Sequence, residues 1–204
     1  LSEPHPLDRT RVRYRELLAE CGLDTETHIP GLVTNTGVSE PDVRALLNGE
    51  HVPLDDPDDR VRRRVCHLYE SRTDLDGRPA DIRDIAAALN ATPTWTKKIV
   101  AGQANPSLTA GHVLCQYYGV PSDFLTATPA DALNRELGKI VFDLEVKADP
   151  ERILAALGVR HVAGRGPNWG GDHLGAVAHM VAGIRESLAT VEEPLARLEG
   201  GEGG

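Results

Sequence analysis

The residues best suited to chemistry lie between Thr92 and Asn105, in the run TPTWTKKIVAGQAN. Thr94 brings a hydroxyl that both donates and accepts, Lys97 and Lys98 are adjacent ammonium groups, and Trp95 offers a flat ring with one N–H donor. Gln103 and Asn105 add two amides. The set holds no nucleophile-and-base pair and no paired carboxylates. It suits recognition of an anionic, hydrogen-bonding polymer. Ammonium groups attract phosphates, while hydroxyls and amides bond to phosphates or base edges. Arg62, Arg63 and Arg78 extend the same phosphate-seeking set.

The stretch from Asp81 to Leu125 supplies the elements that must position these groups. An apolar-periodic helix meets a break at Asn90-Ala91-Thr92. Thr92 is a cap hydroxyl followed by Pro93 at the first helical position, so a second short helix starts there and stops at Gly102. Asn105-Pro106-Ser107 opens a third helix, ending at Gly119. Two short helices across a three- to four-residue turn make a helix-turn-helix unit, whose second helix can lie in a DNA major groove. On that helix Thr94, Lys97 and Lys98 are expected to face outward, with Trp95 near base edges or sugar. Gln103 and Asn105, past the Gly102 turn, are placed for the DNA backbone. Trp95 has an equal alternative, because a lone Trp on a helix commonly packs inward. Its neighbour Thr96 stands where such motifs carry an apolar core residue.

The chain has 204 residues and a net charge of −9, which by itself argues against nucleic acid. The distribution reverses that. Residues 1–59 carry net −8, residues 60–110 net +4 and residues 111–204 net −5. Screening confines phosphate attraction to about 8–10 Å at physiological salt, so a local basic patch can act on DNA while acidic parts stay distant. Aromatics at 4% leave a core of Leu, Val, Ile and Ala, which favours packed helices over a sandwich. No apolar run is long enough for a membrane span, and no signal peptide opens the chain, so it reads as cytoplasmic. Cys21, Cys66 and Cys115 are odd in number and widely spaced, which fits reduced thiols.

An imperfect repeat organises the first half. A shift of 53 pairs Leu32 with Ile85, Gly37 with Asn90, Ser39 with Thr92, Leu46 with Ile99, Gly49 with Gly102 and Pro53 with Pro106. A shift of 49 then pairs Cys66 with Cys115 and Tyr69 with Tyr118. The matched positions are turn glycines, cap hydroxyls and apolar core residues, which a shared fold restricts. The first copy, residues 1–57, presents Glu40 and Asp42 beside a single Arg44. Those carboxylates repel phosphate, so this module reads as structural or protein-binding. Residues 58–128 form the second module. A helix over Asp58–Ser71, carrying Arg62-Arg63-Arg64, is expected to close the first bundle and open the second, and offers a phosphate anchor if it faces the side of Lys97.

Residues 129–190 change character. Leu133, Leu137, Ile140 and Leu144 recur at helical spacing, as do Val177, Val181 and Ile184 in a last helix over Asp172–Ala189. Both stripes read as a dimerisation region. GVRHVAGRGPNWGG between them reads as a loop, including Gly164-Arg165-Gly166-Pro167, and residues 191–204 read as a flexible tail. His161, His173 and His179 lack cysteine partners and zinc-ligand spacing, so no metal is expected. No P-loop, nucleophile elbow, HExxH or Rossmann fingerprint occurs, and neither catalysis nor a cofactor is expected.

GQANPSLTAGHVLCQYYGVPSDFL, with VSEPDVRALLNG in the first copy, resembles the Cro/CI, or XRE-type, class of regulators over about half of the chain. TPADALNRELGKIVFDLE resembles, more loosely, the continuation in EspR-type actinobacterial nucleoid regulators. The resemblance implies an all-α fold of tandem lambda-repressor-like helix-turn-helix modules followed by a helical dimerisation region. It places recognition contacts on Thr92, Thr94, Trp95, Lys97 and Lys98. It implies a homodimeric, sequence-specific transcriptional regulator on double-stranded DNA at the nucleoid. Two departures stand against it: Thr96 and the acidic face of the first module. The other reading is a protein-interaction module of the same fold, binding another regulator, a sigma factor or a toxin.

Overall fold

A computed structural model describes residues 5–73, 76–158 and 175–183, and these are helical without strands, apart from one isolated bridge between Thr73 and Pro79. In chain order the helices are α1 (Pro6–Cys21), α2 (Ile29–Thr36), α3 (Glu40–Asn48), α4 (Pro57–Ser71) and α5 (Ile82–Ala88). They continue as α6 (Pro93–Val100), α7 (Leu108–Tyr117), α8 (Pro129–Ala148) and α9 (Pro150–Ala156), then a helix over 175–183, α10. A single 3-10 turn, Thr25–Thr27, precedes α2. The chain divides into two compact units, Leu1–Gly138 and Lys139–Gly204.

Local signals start these helices. The side chains of Ser39, Asp56, Asp81, Thr92 and Ser107 each accept a hydrogen bond from a backbone N–H in the first turn of α3 to α7. Each such cap contributes about 1 kcal/mol. Pro6, Pro41, Pro57 and Pro93 sit at the first or second helical position, where a missing N–H costs nothing.

Two short helix pairs share local features. α2 packs on α3 and α5 packs on α6. The turn within the first pair has Gly37 at φ 63°, and the paired position in the second is Asn90 at φ 48°. Asn90 is the sole non-glycine with positive φ among the described residues, and Asn tolerates that region better than other L residues. Ser39 and Thr92 cap the following helices in the same way, their hydroxyls accepting from Asp42 N and Trp95 N, each at 3.3 Å. Leu32 and Ile85 are both buried, as are Leu46 and Ile99. Val43 and Thr96 occupy equivalent sites with no exposure at all. Thr96 keeps the shape of valine, and its Oγ1 donates to the Thr92 carbonyl at 3.1 Å. A buried hydroxyl bonded four residues back carries no orphan donor, so the core accepts it.

α4 joins the two pairs within the first unit. Toward the first pair, the His67 ring nitrogen Nε2 lies 2.9 Å from the Thr34 carbonyl, and Arg72 donates to Asn35 Oδ1 at 3.3 Å. On its other side α4 packs on α6, with Val65 and Leu68 entering a core made with Ile85, Ile99, Leu114, Cys115 and Phe124. The start of α8 belongs to the same unit. Leu133 and Leu137 are fully buried, and Thr10 Oγ1 of α1 donates to Asn134 Oδ1 at 2.7 Å. The division between the units therefore lies inside α8, after Gly138, rather than before the helix.

In the second unit Val146, Ile153, Leu154 and Ala178 form a small core, flanked by Phe142, Leu157 and Val177. The His179 ring meets the Phe142 ring edge-on at 5.4 Å and stands 3.7 Å from Asp143 Oδ1. His161, His173, Ile184, the run Gly164–Pro167 and the 191–204 tail lie outside the described residues.

Candidate nucleic-acid interface

α6 has two faces of different chemistry. Thr96, Ile99 and Val100 are buried. Thr94, Lys97, Lys98 and Ala101 are exposed, and their spacing of i, i+3, i+4 and i+7 aligns them in one stripe. Thr92 uses its hydroxyl on the Trp95 N–H, so it serves the helix start. Trp95 is half-buried and packs against the core around Ile85 and Ile99. Of the two roles open to it, the ring's contacts are those of a packing residue that fixes the roll of α6. Ala101 joins the stripe as a small exposed residue. The four-residue spacing from Lys97 is the sequence signal that identifies it.

Beyond the helix, the Gln103 backbone N–H donates to the Lys98 carbonyl at 2.8 Å, and its side chain is exposed. Asn105 is partly buried, with Oδ1 enclosed and unbonded. Gly102, at φ 68°, sets α6 tightly on α4. A Cβ there would stand 2.9 Å from Cys66 Sγ. Burial raises the Cys66 thiol above its usual range, with help from nearby Glu70. All three cysteines are free thiols.

The arginines of α4 are distributed differently from a surface run. Arg64 is 1% exposed. Its Nη1 donates to the Phe124 carbonyl at 2.5 Å, and the guanidinium stands 5.7 Å from the Phe124 ring centre. Burial, then the neighbouring Arg60, push its pKa down to about 10. Arg60 is also buried, donating to Asp55 Oδ1 at 2.7 Å and to the Thr126 carbonyl at 2.9 Å. Arg62 is paired with Asp59 and Arg63 with Asp55. Arg78 is exposed beside the Thr73–Pro79 bridge. The Arg62-Arg63-Arg64 run is thus not a three-residue phosphate anchor. One member is core, and the other two already hold carboxylates.

Lys97 and Lys98 contrast with this. Among the described residues, no carboxylate pairs with either ammonium group. The first pair shows the opposite arrangement. Arg44 donates to Glu26 Oε1 at 2.5 Å and to Glu40 Oε1 at 2.9 Å. These hydrogen bonds raise the Arg44 pKa further, and the bond from Arg44 holds Glu26 below its usual range. The basic group on that face is occupied, and the excess charge is negative.

The residues expected to dimerise are mostly used within the chain. Leu133, Leu137 and Leu144 are buried, and Val177 packs on the second unit's core. Ile140 and Val181 are partly exposed. Among the described residues no group of three His, Cys, Asp or Glu gathers as metal ligands would. No described helix is long and apolar enough to cross a membrane. Comparison with known proteins finds no matching family model, curated protein or solved structure.

Proposed function

We propose that this chain is a sequence-specific DNA-binding regulator of transcription, built from tandem Cro/CI-like helix-turn-helix modules and acting as a homodimer at the nucleoid. α6 is the helix that enters the major groove. The observation that carries this reading is the exposed stripe Thr94–Lys97–Lys98–Ala101, in which neither ammonium has a carboxylate partner among the described residues. Lys97 and Lys98 take phosphates or a guanine edge, Thr94 bonds a base edge or phosphate, and Gln103 reaches the backbone. α4 holds α6 in place through Cys66–Gly102 contact and the shared core. Dimerisation would multiply the effective concentration of a weakly basic module.

The first module serves as a scaffold in this scheme, since Arg44 is neutralised by Glu26 and Glu40. That same acidic face favours the second reading, a module that binds another protein. Selection from a fragmented genomic library by electrophoretic shift at about 150 mM salt separates the two, because non-specific phosphate binding is weakened there. Enrichment of a common site supports the DNA reading. Absence of retained DNA, with a protein partner co-purifying from the same cells, supports the other.

A further inference from the structure

Asn48-Gly49 and Asp76-Gly77 are the two places in the chain where Asn or Asp precedes glycine. Both pairs are exposed, and both glycines have positive φ, 86° and 75°. Such pairs can cyclise, because glycine brings its backbone nitrogen to the side-chain carbonyl carbon with no Cβ in the way. In an unfolded chain Asn48 would react faster, since an amide carbon is a better electrophile than that of a carboxylate. The fold reverses that order. Asn48 is the last residue of α3, and cyclisation requires its ψ to leave the helical range. The Gly49 N–H is held by the Leu46 carbonyl at 3.1 Å, and the Glu50 N–H by the Ala45 carbonyl at 2.9 Å. The Arg11 guanidinium closes this turn from outside. It donates to the Leu46 carbonyl at 3.2 Å, pairs with Asp8 at 3.0 Å, and would stand 2.9 Å from a Cβ on Gly49. Asp76-Gly77 lies outside the helices, in the loop between α4 and α5. No described residue accepts from the Gly77 N–H, and a Cβ on Gly77 would meet nothing within 4 Å.

We propose that Asp76 is a site of spontaneous backbone isomerisation, and that the end of α3 shields Asn48 from the corresponding deamidation. The Gly77 nitrogen forms a bond to Asp76 Cγ, and its proton leaves with the carboxyl hydroxyl as water. The resulting succinimide takes water back at either carbonyl. Opening at the carbonyl next to the Asp76 Cα breaks the original peptide link. The chain then runs through Cγ, the α-carboxylate is free and the mass is unchanged. At Asn48 the same attack would expel ammonia, and the product would be heavier by the exchange of NH2 for OH. Only water takes part in either reaction. The isomerised loop gains a backbone atom between Thr73 and Pro79, the two residues that its bridge joins. That bridge ties the ends of the loop together, so the extra atom must be absorbed between them.

This chemistry requires neither DNA nor a partner, so it holds or fails independently of the regulatory reading. Asp76→Asn gives both sites the same dipeptide, each preceded by leucine, Leu47 and Leu75. A difference in rate then belongs to the fold. The wild-type chain and this variant are incubated for weeks at neutral pH and physiological temperature, both folded and in denaturing urea. Peptide mapping with electron-transfer fragmentation separates isoaspartate from aspartate, and far-UV circular dichroism checks the helices. In the folded wild type, isoaspartate should accumulate at position 76 while Asn48 stays intact. In the folded variant, position 76 should deamidate on the order of tenfold or more faster than Asn48, because two backbone hydrogen bonds must open before Asn48 reacts. In urea the two rates should converge. Equal rates in the folded variant overturn the proposal, as does a folded wild type in which Asn48 deamidates while Asp76 stays unchanged. A gap that persists in urea also overturns it, because chain neighbours rather than the fold would then set the order.

Discussion

Replacing Lys97 and Lys98 together by alanine tests the site most directly. Both side chains are exposed on α6, so their removal leaves the core of Ile99, Val100 and Thr96 untouched. Each lysine that neutralises a phosphate contributes about −0.9 to the slope of log affinity against log salt. Two per protomer contribute about −1.8, and a dimer engaging both α6 helices about −3.6. Between about 50 and 200 mM salt, the wild-type protomer thus loses roughly tenfold more affinity than the variant, and the dimer roughly a hundredfold more. Fluorescence anisotropy on a labelled duplex carrying the selected site measures both slopes. Lys147→Ala, exposed at the end of α8, is the control and should leave the slope unchanged. Equal slopes for wild type and the double variant would refute the assignment of α6. So would a larger flattening in an Arg62→Ala, Arg63→Ala protein, because those arginines are held by Asp59 and Asp55.

Three stability measurements probe the frame behind that helix. Gly102→Ala places a Cβ 2.9 Å from Cys66 Sγ at φ 68°, and should cost about 1–2 kcal/mol in urea unfolding. Adding Cys66→Ala relieves the contact but not the backbone strain, so it should restore only part. Asn90→Gly should hold or slightly raise stability, whereas Asn90→Val at φ 48° should lose about 1–2 kcal/mol. Asp55→Ala leaves buried Arg60 without its carboxylate and should cost about 3 kcal/mol, the lower end for a broken buried pair because Arg60 keeps the Thr126 carbonyl. Burial would raise the Asp55 carboxyl, but hydrogen bonds from Arg63 and Arg60 together outweigh it and hold the group below its usual range. Its contribution is therefore present above the unfolded value near pH 4 (about 3.9) and is lost as pH falls through the lower folded value. The wild type should lose more stability on acidification than Asp55→Ala, and parallel pH profiles would contradict this.

Much of the architecture was legible in residue order alone. Cap hydroxyls at Ser39, Thr92 and Ser107, prolines at helix starts, and the matched turns at Gly37 and Asn90 act within a few residues of themselves. Local hydrogen bonds and backbone sterics therefore show the helices and their ends. The structure adds that the paired Gly37 and Asn90 share a positive φ. The Lys97–Lys98 pair was equally visible, because helical spacing separates an exposed stripe from the core. What the order could not show was which polar groups remain available. Arg64 reads like its neighbours in sequence, yet its guanidinium ends on the carbonyl of Phe124, 60 residues away. Trp95, Leu133 and Leu137 were equally ambiguous, since an apolar stripe looks the same whether it meets its own chain or another. Only tertiary packing decides that, because burial and charge pairing belong to surfaces brought together from distant parts of the chain.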